Sequence, residues 1–568
     1  MTATSHTPLH TLIPMPRLRP VYLTLLLTLT ACPGPKDAPR SGASTATGGT
    51  LVISAPGEPD NLMPPITTAT AGQQVEELVF QRLASIGPGL NTVGDAGFIP
   101  DLARHWSWAS DSLSIAFQLD SAARWHDGKP VRAADVVFSF ALYKDPKTAA
   151  AAAAELANID SVTARDSLTA VVWFRRRTPG QFFDAAMLVL VLPSHLLMTV
   201  DRSTLASAPF ARAPVGSGPF RFVKWVSSQS LELAADTAPR RAQLDRVVFT
   251  VAPDPVTAYT RVATGEADLF ESVRPDKVAE VMSNKQLRLL IAPALDYNYV
   301  GFNLVDPATG KPHPIFGDRR VRRALTMAID RRSIVANIYD TLAVPARGPF
   351  TSAQASADTA IAVLPYSVDS ANALLDAAGW KRGPDSLRRK NGKLLTFGML
   401  LPTSSTPRVR AAVLLQEQFR RVGVDAKIES SDIGGFVGRM TARRFDVVIG
   451  AWSQDGGPAN ARDAWSSAAA AKGGNNFGAY RSAAFDTQLD SALAARSPAA
   501  SHAHFAAAWR IIIDDAPAIW LAEPRHVMAI NSRFVTTGMR PDAWWAGIAH
   551  WSIPSDKRIA RDVAGAAR

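Results

Sequence analysis

Arg124-Trp125-His126-Asp127-Gly128-Lys129-Pro130, followed at once by Ala134-Asp135-Val136-Val137-Phe138-Ser139, is the stretch from which the fold can be read. Asp127-Gly128 is a hairpin-type turn. The residues from Ala133 to Leu142 then form a helix that buries Val136, Val137 and Phe140, with Asp135 near its start, where a carboxylate favours the helix dipole. Just upstream, Ser114 to Leu119 alternates Ile115, Phe117 and Leu119, the period of a half-buried strand. Strand, turn and helix therefore succeed one another within thirty residues or so. Earlier in the chain, Thr50-Leu51-Val52-Ile53-Ser54 reads as a strand bounded by Pro56-Gly57. Gln73 to Leu83 reads as a helix with Val75, Leu78, Val79 and Leu83 on one face. The alanine run Ala149 to Ala154 has high helix propensity and no side chains for chemistry, so a plain surface helix is expected there.

Past the middle, strands and helices alternate. Tyr297 to Leu304 is strand-like, and Asp318 can cap a helix carrying Val321, Ala324, Leu325, Ala328 and Ile329 on one stripe. Asp330 can cap the next. Leu394 to Leu401 reads as a strand, Val409 to Val422 as an amphipathic helix stopped by Gly423, and Val424 to Ile428 as a strand. Phe445 to Trp452 is an apolar strand leading into a polar, Gly-rich loop, and Ala503 to Asp514 is a helix ended by Pro517. The sum is a mixed α/β protein of more than one lobe.

Composition agrees. The chain has 568 residues, 47% hydrophobic and 20% charged. That length predicts several domains, and the balance excludes disordered, fibrous and coiled-coil classes. The net charge is +11, but Lys and Arg are spread along the chain. The short groups Arg175-Arg176-Arg177 and Arg319, Arg320, Arg322 and Arg323 lack interleaved aromatics, so they read as solvated faces and no nucleic-acid partner is expected.

The chain contains one cysteine, Cys32, which excludes an intramolecular disulfide and a CxxC centre. Arg17 and Arg19 precede the apolar stretch Val21 to Thr30, and Leu29-Thr30-Ala31-Cys32 closes it. Basic, apolar and small residues in that order form a secretion signal. Leu-Thr-Ala-Cys looks like a bacterial lipobox, in which Cys32 accepts the lipid and becomes the first mature residue. Pro33 to Gly49, rich in Pro, Gly, Ser, Thr and Ala, reads as a flexible tether. The expected product is a lipoprotein anchored through Cys32 in the periplasm or at the cell surface, since two or more acyl chains hold firmly where one does not.

Enzyme signatures fail on inspection. There is no HExxH and no GxSxG, and His502 and His504 stand two apart on a predicted helix, so they diverge. Gly216-Ser217-Gly218-Pro219 lacks the third glycine of a dinucleotide fingerprint, and Gly128-Lys129 is followed by Pro where a P-loop needs Ser or Thr. No catalysis, cofactor or metal site is expected; an exported hydrolase is the lesser alternative.

Several segments taken in order carry a resemblance. They are Gly49-Thr50-Leu51-Val52-Ile53 with Asp60-Asn61-Leu62-Met63-Pro64; Ile99-Pro100-Asp101-Leu102-Ala103-Arg104-His105-Trp106; and the opening stretch with Phe117-Gln118-Leu119 before it. Pro214-Val215-Gly216-Ser217-Gly218-Pro219-Phe220, Gly265-Glu266-Ala267-Asp268, and Val321-Arg322-Arg323-Ala324-Leu325 with Ala328-Ile329-Asp330 complete the set. Together they resemble the extracellular solute-binding proteins of family 5, the dipeptide, oligopeptide and nickel receptors of bacterial ABC importers. The resemblance implies an α/β, two-lobed periplasmic-binding-protein fold of class II with the extra domain of peptide-binding members. Residues 1–31 would be the signal and 32–48 the tether. Residues 49–83, 212–295 and 523–560 would form lobe I, 84–211 the extra domain packed on it, and 296–522 lobe II. The chain would cross between lobes near Asp296 to Asn303 and near Leu521 to Pro524.

By the same resemblance the protein is a monomeric receptor that captures di- or oligopeptides between its lobes. Its partner would be an ABC permease, with transmembrane and ATPase subunits; a nickel chelate, haem or another nutrient is the alternative cargo. The loop Ala451-Trp452-Ser453-Gln454-Asp455-Gly456-Gly457-Pro458 resembles the dipeptide-receptor segment whose first Asp pairs with the peptide's α-ammonium. That match implies Asp455 as amine anchor, Trp452 as a wall of the pocket, and Ser453 and Gln454 beside them. Dipeptide receptors hold the substrate carboxylate with an Arg after the preceding strand. Here that stretch is Pro402-Thr403-Ser404-Ser405, with Arg408 three residues on as the substitute.

Overall fold

The computed structural model describes residues 48–564 apart from 238–240, 307, 455, 458 and 472. Cys32, nearly all of the tether and Asp455 thus lie outside the described residues. The expected strand at Thr50 is the centre of a mixed sheet. Thr50–Ala55 pairs in parallel with Arg246–Val251 and with the two-residue strand Leu269–Phe270. Across the sheet the order is 287–292, 526–531, 269–270, 50–55, 246–251, 230–235 and 220–226. A four-stranded antiparallel sheet, 103–108, 114–119, 169–174 and 159–164, is covered by helix Ala133–Lys144. One continuous cluster of buried side chains, from Leu51 and Ile53 through Phe117 and Phe140 to Trp544 and Trp551, joins it to the first sheet.

A six-stranded sheet organises the rest: 343–344, 518–524, 296–302, 447–453, 396–402 and 425–431. It is buried on both faces. Strand Asp296–Phe302 sends Val300 and Phe302 into a cluster with Phe316, Leu325 and Phe419, and Tyr297 and Tyr299 into another with Trp465, Trp509 and Trp520. The two large sheets are linked through neighbouring strands. Leu287–Ala292 pairs antiparallel with His526–Asn531 in the first, and Asp296–Phe302 with Ala518–Pro524 in the second. Only residues 293–295 and Arg525 lie between the paired segments.

The opening stretch is a piece of scaffold. Gly128 has φ +87°, and Trp125 N–H donates to the Lys129 carbonyl at 2.8 Å to close the turn. His126 N–H donates to Gly216 O at 2.8 Å, and the His126 ring sits 3.0 Å from Gly218 O. A Cβ on Gly216 would lie 1.9 Å from the Val79 carbonyl oxygen, so only glycine fits where this segment crosses the end of helix Thr70–Val79. Asp135 accepts from Arg132 N at 2.8 Å and from Ser194 N at 3.0 Å, which caps one helix and pins the start of another.

Four expectations change. Ala149–Ala154 is a single 3-10 turn, Ala151–Ala153, preceded by Ala149 at φ +52°, because six residues cannot nucleate a helix without packing. The helix expected to Leu83 stops at Val79, where Phe80 turns extended and Arg82 and Leu83 carbonyls accept from Leu102 and Ala103. The last long helix starts earlier, at Pro498, because the Ser497 hydroxyl caps it. Arg322 is buried, not solvated: its guanidinium donates to the Asp515 carbonyl at 2.8 Å, satisfying the end of that same helix.

A buried ion cluster ties the first sheet together. Asp268 accepts from Val52 N at 2.9 Å and from Arg533 Nη2 at 2.9 Å, and pairs with Arg561. Asp562 accepts from Thr50 N at 2.9 Å and pairs with Arg533, whose other nitrogen donates to Thr50 O at 3.1 Å. Arg533→Met should therefore leave Asp562 buried without a cation and Asp268 with Arg561 alone, destabilising the fold by ~3–5 kcal/mol. Urea unfolding followed by circular dichroism measures this, and a loss under about 1 kcal/mol would sink the assignment.

Candidate functional site

A cavity of about 750 Å³ opens between the two large sheets and the four-stranded one. Its first wall is the polar side of helix Thr70–Val79, where Gln73, Glu76 and Glu77 follow at i, i+3 and i+4, together with Glu271, Trp544 and Trp545. Tyr143, Leu188 and the small side chains Ala151 and Ala152 form a second wall, so the alanine run lines a cavity. Across from these stand Asp296, Ser453, Gln454 and Asn460. The volume is that of a ligand site, and the walls come from sequence-distant segments.

The charges are unbalanced. Glu77 pairs with Arg82 and lies 3.5 Å from Arg540, which also meets Asp542 at 3.0 Å. Burial works to raise the Glu77 pKa, but the two guanidiniums bring it below the ordinary carboxylate value. Glu76 lacks such a partner. Its Oε1 accepts from Thr67 Oγ1 at 2.5 Å, and burial, with the Asp60 charge adding, pushes its pKa up to about 8. Burial raises Glu271 as well, partly offset by hydrogen bonds from Gln74 Nε2 at 2.6 Å and Trp544 Nε1 at 3.0 Å. The side chain of Asp296, opposite Ser453 in the ladder, has no hydrogen bond or ion pair among the described residues.

Of the residues nominated from sequence, Ser453 and Gln454 lie on this cavity; Gln454 Oε1 is a buried acceptor without a partner among the described residues. Trp452 and Arg408 are not in its walls. Trp452 stacks on Phe477 with centroids 5.9 Å apart and planes at 7°, and Arg408 sits 6.0 Å from the Phe436 ring in the first turn of helix Thr406–Arg421. Glu76, Glu271 and Asp296 escaped the sequence reading because they lie in three segments far apart in the chain; only the position of Asp296 at a chain crossing hinted at it. No group of three or more His, Cys, Asp or Glu side chains among the described residues is placed to hold a metal ion.

The sequence pattern of the bacterial extracellular solute-binding proteins, family 5 Middle, matches residues 97–473. The chain belongs to this family. This family 5 protein is 28% identical over 549 residues to the oligopeptide-binding protein AppA of Bacillus subtilis, covering 92% of this chain and 97% of that one. The structure of AppA in complex with a nonapeptide superposes with a TM-score of 0.73 at 25% identity, covering 89% and 99% of the two chains. NikZ of Campylobacter jejuni, solved with Ni(L-His), shares the fold at TM-score 0.73 and 24% identity over 89% and 99%. The family 5 protein thus has the two-lobed fold of periplasmic peptide-binding proteins.

Glu76 makes stability depend on pH. Between the ordinary carboxylate pKa of 4.5 and about 8, the folded protein holds a proton that the unfolded chain releases. Stability from this group is complete below the lower value and is lost as pH rises to the upper one. Glu76→Gln should then gain in melting temperature relative to the parent between pH 5 and pH 8. Differential scanning fluorimetry reads this, and parallel profiles would refute it.

Proposed function

We propose that this chain is the substrate-binding lipoprotein of an ABC importer, capturing peptides between its lobes and delivering them unchanged to the permease. The observation that carries the reading is the cavity: Ser453, Gln454 and carboxyls with no ion pair among the described residues line it, in a family whose relative AppA is an oligopeptide-binding protein. A peptide supplies the complement, an ammonium for the carboxyls and backbone N–H groups for the amide oxygen. Asp455 anchors the α-ammonium, and Ser453 and Gln454 contact the peptide. Residues 49–83, 212–295 and 523–560 act as one lobe carrying the extra domain 84–211, and 296–522 as the other. Cys32 holds the protein at the membrane, in the periplasm or at the cell surface.

Native mass spectrometry of the protein purified gently from cells tests the cargo. A ladder of short peptide masses is expected, whereas a single non-peptide mass such as a metal chelate would replace peptide as the ligand. Asp455→Asn should weaken peptide binding about tenfold or more, since charge-assisted hydrogen bonds are worth ~1.5–3 kcal/mol. The melting temperature of the unliganded variant should stay within a degree or so of the parent, and unchanged affinity in calorimetry would remove Asp455 from the site. Cys32→Ser should move the protein from the detergent phase to the aqueous phase on Triton X-114 partition; retention in the detergent phase would exclude Cys32 as the anchor.

A further inference from the structure

Ser453 and Gln454 leave the strand Val447–Ser453 and are pinned to the chain crossing, where Gln454 N–H donates to Leu295 O at 3.0 Å. A few residues on, Asn460 Nδ2 donates to Gly457 O at 2.6 Å. Between these points Gly456 meets a distant part of the chain. A Cβ there would lie 3.5 Å from Thr92 Cγ2 and 3.8 Å from Phe183 Cε2, ordinary van der Waals contact. Thr92 is 2% exposed, although Asn91 beside it is open to solvent.

The surface that Gly456 meets is firmly held. Thr92 belongs to the loop 87–97 between the paired strands Ala84–Ile86 and Phe98–Pro100, far longer than the common hairpin loop of about two to five residues. Asp95 in that loop accepts from Trp106 Nε1 at 3.0 Å and Trp108 Nε1 at 2.9 Å, so two indoles of the four-stranded sheet fix it. Gly94 N–H donates to Pro179 O at 2.8 Å, which ties the loop to the approach of helix Gln181–Ala186. Phe183 rides on that helix and is itself buried, and its neighbour Phe182 packs on Phe98 and Trp106 with centroids 4.6 and 4.9 Å apart.

We propose that Thr92 and Phe183 are positioning residues for peptide capture: they seat Gly456 and so fix the residues before it, Ser453 and Gln454 on the cavity and Asp455 after them. This rests on the peptide-capture reading. Neither Thr92 nor Phe183 is among the described wall residues of the cavity, so they act through Gly456 and not by touching the ligand. Two successive glycines, Gly456 and Gly457, give this stretch a large backbone entropy to lose. A preformed seat removes that cost before the ligand arrives, and preorganisation of this kind strengthens binding without a new contact. Glycine is also what the seat requires. A Cβ only reaches contact distance, whereas a longer side chain at 456 would run into Thr92 and Phe183 and wedge the stretch away.

Disulfide trapping tests the contact, and calorimetry tests its consequence. In the Cys32→Ser chain, which contains no other cysteine, Thr92→Cys with Gly456→Cys should lose both free thiols in air, because a disulfide needs Cβ atoms about 3.5–4.5 Å apart. The crosslinked protein should bind a randomised tetrapeptide library at least as tightly as the reduced one. Thiols that stay free, or a crosslink that abolishes binding, would overturn the seat. Gly456→Leu should weaken binding of the library about tenfold or more, and Thr92→Ala several-fold, with the melting temperature of the unliganded protein within a degree or so of the parent. Thr92→Val, which keeps the contacting methyl, should recover most of what Thr92→Ala loses. Affinities equal to the parent in Gly456→Leu and Thr92→Ala, or losses matched by a fall in melting temperature, would overturn the positioning role and leave peptide capture standing. A parent protein that binds none of the library while the crosslink still forms would overturn peptide capture itself, and this proposal with it.

Discussion

The structure is organised by one constraint: the chain leaves the first large sheet and returns to it through strands that are neighbours in both sheets. Leu287–Ala292 and His526–Asn531 hydrogen-bond as a pair on one side, and Asp296–Phe302 and Ala518–Pro524 on the other. Both crossings therefore lie side by side, each only a few residues long. Pro293 and Pro524 stand at these points, where a missing N–H interrupts a ladder without breaking one inside a sheet. Asp296 is the first residue of the strand that enters the second large sheet, so the connection that joins the sheets also delivers a carboxylate to the cavity.

Rigidity on the first side comes from burial and charge together. The cluster of Asp268, Asp562, Arg533 and Arg561 connects the first strand, the short third strand and the C-terminal helix, segments up to 512 residues apart. The four-stranded sheet is held to the same body by the packing of His126 against Gly216 and Gly218. Against that fixed frame the cavity keeps an excess of carboxyls, and desolvation rather than any protein partner sets the state of Glu76 and Glu271.

Local patterning made much of this architecture legible. The alternation at Ser114–Leu119, the capping aspartates Asp318 and Asp330, and the stop at Gly423, which adopts φ +82°, all form as the residue types require. The motifs that carried the family resemblance also have local reasons: a glycine where a Cβ would strike Val79, a carboxylate where helix N–H groups need an acceptor. What local patterning could not supply was context. The alanine run lost its helix because nothing packs on it as one, and Arg322 left the solvent because a helix end 193 residues away needed a donor.

By itself the sequence determined the element types, the mixed α/β class, the order of motifs that marks the family, and the loop at Ser453 and Gln454 that reaches the cavity. Those depend on neighbours in the chain, on period, caps and turns, which a single string records. Only the tertiary structure decided that Glu76, Glu271 and Asp296 share one cavity while Arg82 and Arg540 are spent on Glu77 and Asp542. Electrostatic balance depends on distances through space and on the water excluded between groups, and residues more than two hundred positions apart carry no mark of either.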